Sequence, residues 1–401
     1  MVEYLGFNEN RLRDINGYNT ANEIVRQPLL WKKIYKEISI RKNEILAFFH
    51  GIKGVDKCNV ILTGAGSSAY IGEVLESAFI KNISRYSRAV ATTTIVTHPE
   101  IYFTNDRPTI MVSFARSGNS PESVASISMA NEMCENVFHI VITCNPSGKM
   151  IEEMDLEKDY LLLLPEESND IGLAMTGSFT GMLLAGYLIS RLADLEILET
   201  EINLIAEYGA NVIQDNLGRL KDLSNLDFNR VVFLGSGPLL GIAREAHLKV
   251  QELTNGVVMC NYDSYLGLRH GPKVVVGPKT IVVFLISNDQ YVQQYEKDLI
   301  SDMVNESLGL RKLSFSENKE PELDIDFQIY LSNENRQLDP YLYSMVSILP
   351  AQVLGFLKSV QLGCSPDSPS ENGAISRVVR GVKLYNYQNQ VRVVGNDYKI
   401  N

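Results

Sequence analysis

Short apolar runs alternate with stretches of helical periodicity along most of the chain. Asn59 to Thr63, Ala89 to Val96, Thr109 to Phe114, His139 to Thr143 and Tyr160 to Leu164 predict buried strands. Between and after them, Ala69 to Ile83, Ser120 to Cys134 and Met175 to Ala193 predict helices. Residues 194–228 read as an amphipathic bridge, after which the pattern restarts. Arg230 to Leu234, Gly256 to Cys260, Thr280 to Ser287 and Phe327 to Leu331 predict strands, with helices at Leu239 to Leu253 and Pro340 to Gly363. A Gly-x-Gly loop follows the first strand of each half, at Gly64-Ala65-Gly66 and Gly235-Ser236-Gly237. The matching order predicts a duplicated α/β unit with parallel, doubly wound sheets.

Ahead of the first strand, Thr20-Ala21-Asn22-Glu23 fits a capping box and Pro28 a first helical position. Leu30, Ile34, Ile38, Ile45 and Phe49 continue at helical spacing, with Trp31 assigned to packing. The expected division is 1–50 helical, 51–205 and 206–365 α/β, and 366–401 a tail. That tail either returns across the site or runs over the surface.

Composition narrows the class. Of 401 residues, 45% are hydrophobic and 21% charged, as in globular proteins with large cores. The net charge of -11 argues against sequence-independent binding of nucleic acid or anionic membrane. No signal peptide is visible, and runs such as Leu161 to Leu164 are too short to span a bilayer. The five cysteines lack CxxC spacing and the five histidines are scattered, so reduced thiols in a cytoplasmic protein are expected, with no metal and no cofactor.

Ser113-Phe114-Ala115-Arg116-Ser117-Gly118-Asn119-Ser120 joins a strand to a helix that starts at Pro121. Helix-start N–H groups, short hydroxyls and open backbone suit an anion. An ordinary turn with a serine cap has the same local pattern.

That loop, together with Leu62 to Ser68, Ala174 to Thr180 and Leu234 to Gly237, resembles the sugar isomerase (SIS) domain family. Gln251-Glu252-Leu253-Thr254 and Tyr262 to Lys273, with Arg269-His270-Gly271-Pro272, extend the resemblance. The ordered set is similar to the isomerase half of glucosamine-6-phosphate synthase. It is more similar to the subfamily described as tagatose-6-phosphate ketose/aldose isomerases or galactosamine-6-phosphate deaminase/isomerases. The resemblance implies two tandem SIS domains, each a parallel sheet flanked by helices in three α/β/α layers. It implies a homodimer or homotetramer with a shared active site and a sugar-phosphate substrate; the acidic charge balance leaves no nucleic-acid or membrane partner expected.

Carried over residue by residue, the resemblance assigns the phosphate to Ser67, Ser68, Ser117 and Ser120, with N–H groups of Gly118 and Asn119. Arg116 stands where the synthase has Gln, and either adds charge or turns to solvent. Ser178 joins the substrate-binding set. Glu252 matches the base that moves a proton between C1 and C2, a step suited to a partly buried carboxylate with a raised pKa. From spacing alone, Glu252 lies with Glu245 and Lys249 on a solvated helix face. His270 matches the ring opener supplied by a neighbouring subunit. Asp263 is a candidate for sugar hydroxyls or the amino group. Arg380, or Arg377, stands near the synthase's C-terminal lysine. The reaction implied is deamination of galactosamine 6-phosphate to tagatose 6-phosphate and ammonia. Isomerisation without deamination, or a non-catalytic sugar-phosphate sensor, are the alternatives.

Overall fold

The computed structural model describes residues 3–332, 334, 336–370, 373–379 and 381–387. Strands β1 (Asn59–Thr63), β2 (Ser87–Ala89), β3 (Thr109–Ala115), β4 (Val137–Thr143) and β5 (Tyr160–Leu163) form one parallel sheet, ordered β2-β1-β3-β4-β5. Strands β6 (Arg230–Leu234), β7 (Met259–Asp263), β8 (Thr280–Leu285), β9 (Arg311–Asn318) and β10 (Phe327–Ser332) form a second, ordered β10-β9-β8-β6-β7. Taken from the edge, both orders run second, first, third, fourth, fifth. The duplication therefore extends to topology. Gly66 and Gly237 repeat even the backbone conformation, at φ/ψ of 57/-130° and 55/-129°.

Alternate residues of each strand enter different cores, as a two-residue period demands. Val60, Leu62, Ile110 and Val112 of the first sheet, and Val231, Phe233, Ile281 and Val283 of the second, join one central core. Between the sheets lie α1 (Tyr18–Ile40), α2 (Ser67–Asn82), α4 (Gly177–Ser190), α5 (Leu195–Ser224), α6 (Pro238–Leu253), α8 (Pro340–Ser347) and α9 (Leu349–Gln361). The outer faces are covered separately. Ile61, Met111 and Val141 pack with Ile127 and Ala130 of α3 (Pro121–Met133), and Val232, Val282 and Phe284 with Leu299, Ile300 and Met303 of α7 (Gln290–Asn305). Burial on both faces explains why the strands read as unbroken apolar runs.

Several expectations change. The Ala89 to Val96 run ends as a strand at Ala89 and turns helical over Thr92–Ile95, because Thr92 donates both its N–H and its hydroxyl to the Gly64 carbonyl. The strand expected at Gly256 to Cys260 lies three residues later. Strand β9 and helix α7 escape the apolar pattern; β9 buries Ser314, Ser316 and Glu317 alongside its Leu313 and Phe315. Pro340 to Gly363 divides at Ile348 into α8 and α9. Taken together, 340–361 is long and apolar enough to cross a membrane, but 89% of its apolar window is buried in the central core.

The capping box is also corrected. Helix α1 starts at Tyr18, runs through Pro28, and takes its cap from the far end of the chain. The Asp367 carboxylate accepts from the backbone N–H groups of Asn19 (3.1 Å) and Thr20 (2.7 Å) and from the Thr20 hydroxyl (2.8 Å). Glu23, instead of reaching back along its helix, accepts from Ile171 and Gly172 of the β5–α4 loop. Trp31 is fully buried and donates to the Thr180 hydroxyl at 3.0 Å. Helix α5 runs unbroken through the boundary expected between 205 and 206.

Candidate active site

The first sheet reverses its winding between β1 and β3, the place where open α/β sheets take ligands beyond their strand ends. Thr63 and Ser113 are register partners there, so the loops after the two strands emerge side by side. The first loop turns through Gly66 into Ser67 and Ser68 at the start of α2, both nearly buried. The second carries Arg116 to Ser120 into α3. Ser120 occupies the N-cap without making a cap hydrogen bond. Ser117 accepts the Asn119 N–H at 3.3 Å. The loop is braced by its neighbour after β4. Asn145 donates to the Ser117 carbonyl (2.7 Å), Met150 N–H to the Gly118 carbonyl (3.0 Å), and Lys149 N–H to Asn119 Oδ1 (3.0 Å).

Helix α6 of the second half meets these loops. Its apolar stripe Leu239, Ile242, Ala246, Val250 and Leu253 is buried as periodicity predicts. Its other face is not solvated, because it packs against α2. Gly241 makes the approach possible: a Cβ there would lie 2.6 Å from Val74 Cγ2 and 3.0 Å from Val74 N. Arg244 pairs with Glu73 across the same contact and lies over the Tyr70 ring.

One turn further on, Lys249 is fully buried among polar groups. Its ammonium donates to Glu252 Oε2 at 2.7 Å and to the Ser67 hydroxyl at 3.1 Å. It also lies 3.2 Å from the buried Glu245 carboxylate, out of line for a hydrogen bond. Burial pushes Glu245 up to about 7, against the pull of Lys249. Burial would discharge Lys249, but the two carboxylates outweigh it and hold its pKa above the ordinary value. Glu252 keeps 22% of its side chain exposed, the most open member of the trio. The arrangement is a partly exposed carboxylate held by a buried cation that also touches the first serine loop. Spacing alone gave no sign of Lys249 in this role; Gly241, a small residue two turns earlier, was the one hint of close helix packing.

The remaining expected site residues fall in different places. Arg116 is buried and donates to the carbonyls of Gly172 (3.1 Å), Leu173 (3.0 Å) and Arg377 (3.0 Å), so it does not turn to solvent. Burial lowers its pKa, against the pull of the Asp170 carboxylate. Ser178 is fully buried, and its N–H (2.8 Å) and hydroxyl (2.6 Å) both donate to Asp170, which caps the start of α4. Ser68 faces Met175 at 4.0 Å. Asp263, at the end of β7, accepts the Ser264 N–H at 2.7 Å. His270 is exposed on the segment after β7, and no hydrogen bond of its ring joins it to Glu252 among the described residues. Arg380 lies outside the described residues. A cavity of about 470 Å³ opens beside Gly66, lined by Tyr70, Glu73, Arg88 and Arg244. A larger groove of about 760 Å³ lies elsewhere, between α1 and α5, and holds none of these groups.

Two parallel sheets of one order, joined through shared helices and carrying a serine loop at the first switch point, define a tandem SIS-domain architecture. The SIS domain profile matches residues 55–190. The chain belongs to the AgaS family. It is 37% identical to the D-galactosamine-6-phosphate deaminase AgaS of Shewanella sp. (strain ANA-3), over 94% of each chain. A solved structure of a candidate tagatose-6-phosphate ketose/aldose isomerase from Clostridium novyi NT matches with a TM-score of 0.92 and 38% identity, covering 96% of this chain and 100% of that one. The tagatose-6-phosphate ketose/aldose isomerase of Escherichia coli matches at 0.83 and 30% identity, covering 93% and 97%.

Proposed function

We propose that this protein deaminates and isomerises galactosamine 6-phosphate to tagatose 6-phosphate and ammonia. The observation that carries the reading is Glu252, partly exposed and held by Lys249 beside the Ser67 loop. Ser68, Ser117 and Ser120, with the N–H groups at Gly118 and Asn119, hold the phosphate, as short hydroxyls and amides at a helix start can. Glu252 removes the C2 proton as O1 takes up a proton, giving the enolamine, and then delivers a proton to C1 as the amine nitrogen gives one up. Lys249 orients the Glu252 carboxylate through its 2.7 Å hydrogen bond. The resulting C2 imine takes up water and expels ammonia, leaving the ketose. His270 opens the sugar ring, and its exposure here suits service to a second copy of the chain in a homodimer or homotetramer. Asp263 and the chain-end Arg380 complete the substrate contacts. The two α/β units correspond to SIS domains at about 51–205 and 206–365, and the enzyme works in the cytoplasm.

Ammonia release from galactosamine 6-phosphate and glucosamine 6-phosphate, assayed side by side, tests this. Release from the galacto sugar in preference to the gluco sugar is expected. Faster turnover of a nitrogen-free aldose phosphate would favour plain isomerisation, the activity in the names of the two structural relatives. Thermal stabilisation by sugar phosphates with no product from any of them would identify a sensor.

A further inference from the structure

The β5–α4 loop is held from every side by groups distant in sequence. Glu23 accepts the Ile171 and Gly172 N–H groups, and the Asp367 carbonyl accepts the Leu173 N–H. From the chain end, Arg377 Nε donates to the Asp170 carbonyl at 2.8 Å, and its Nη2 donates to Asn169 Oδ1. Arg116, in the second serine loop, completes the ring. Its Nη1 serves the Gly172 and Leu173 carbonyls while its Nη2 serves the carbonyl of Arg377. A single guanidinium thus joins three segments: the serine loop, the β5–α4 loop and the C-terminal segment 373–379.

We propose that Arg116 is a positioning residue that clamps the 373–379 segment beside the serine loop, and that this clamped segment retains the sugar phosphate. The guanidinium suits this work. It is planar, always charged, and offers donors in a fixed fork, so it can satisfy three carbonyls converging from different segments. A lysine keeps the charge but places all its donors on one atom. Three of the Arg116 donors are spent on backbone, which assigns it to holding the chain rather than to grasping the phosphate. The second arginine of the clamp, Arg377, anchors the same segment through separate partners, so the two can be tested independently.

The kinetic part of the proposal rests on the sugar-phosphate reading above; the structural part does not. Hydrogen–deuterium exchange of the 373–379 backbone is measured in the wild type and in Arg116→Lys, Arg377→Ala and the double variant. Both single variants should speed exchange there roughly tenfold, the scale of one lost charge-assisted hydrogen bond. KM for the sugar phosphate should rise by roughly tenfold in each, with kcat changed by less than about threefold. The double variant should be no worse than the weaker-binding single one, because both release one segment. Unchanged exchange in Arg116→Lys overturns the clamp, and a raised KM alongside it would reassign Arg116 to direct phosphate contact. Faster exchange in Arg377→Ala with KM unchanged would overturn the claim that the clamped segment retains the sugar. If the wild type turns over neither amino sugar phosphate, the functional reading fails while the exchange measurement still decides the clamp.

Discussion

The ammonium of Lys249 lies 2.7 Å from the carboxylate of Glu252, one turn along the same helix, and 3.1 Å from the hydroxyl of Ser67 on the other half of the molecule. Through that contact, a buried cation links the base candidate to the first serine loop. In water the same pair would be one more helix-surface ion pair worth a few tenths of a kcal/mol, about 0.3–0.5. Buried against α2, it fixes the direction of the Glu252 carboxylate beside the first serine loop.

Removing the two members of this pair should have different consequences. Glu252→Gln keeps the shape and should fold normally, with kcat reduced by roughly two to four orders of magnitude. Lys249→Met leaves Glu245 buried beside an uncompensated carboxylate, and should destabilise the fold by about 3–5 kcal/mol as well as abolish activity. Urea unfolding and turnover measured on both variants check this. A Glu252→Gln enzyme with wild-type kcat would remove Glu252 from the mechanism.

Gly241 sets how closely α6 approaches α2. Gly241→Ala drives a methyl group into Val74, with backbone atoms on one side of the contact. Overpacking of this kind costs about 1–3 kcal/mol. The helix should relax outward, so the Lys249–Ser67 contact lengthens and activity falls together with the melting temperature. Combining it with Val74→Ala, which removes the Cγ2 contact, should recover part of both.

The stability of the protein should fall as pH rises through the neutral range. Burial and the nearby Asp170 push Glu23 up to about 8, from an ordinary value of 4.5. Between those two values the folded chain keeps a proton that the unfolded chain releases. The contribution of Glu23 is therefore fully present below about pH 4.5 and lost as pH rises through about 8. Glu23→Gln keeps an acceptor for the Ile171 and Gly172 N–H groups but cannot titrate. Its thermal stability should vary less steeply over this window, and a slope equal to wild type would count against Glu23 as a source of the dependence.

Asp367 caps a helix whose sequence lies some 350 residues away. Asp367→Ala should cost about 1–2 kcal/mol, the range for a lost N-cap, and Asp367→Asn should recover most of it. Chemical denaturation of the two variants distinguishes a cap from a passive surface contact, which would leave both at wild-type stability.

Much of the frame was legible along the chain. The apolar runs at 59–63, 109–114, 139–143 and 230–234 became central strands, because parallel strands buried on both faces read as near-continuous apolar runs. The serine loop and the two Gly-x-Gly loops announced the strand-to-helix turns where a ligand can sit. Strand β9 was invisible because buried serines satisfy a sheet without an apolar signature. The expected capping box failed for a related reason: a carboxylate's short-range pattern says nothing of a distant backbone that binds it better.

What the residues alone determined was the duplicated α/β order, the serine loop and, through family resemblance, Glu252 as the candidate base. Tertiary structure decided their environments. Lys249 and Glu245 sit on a face that periodicity marks as polar, yet α2 covers it, and burial turns a surface pair into a charged core. Arg116 had the composition of a phosphate ligand, yet carbonyls from two remote segments converge on it. Local sequence determines which groups a helix or loop presents, while desolvation and hydrogen-bond partners come from whatever packs against it, and that depends on the whole fold.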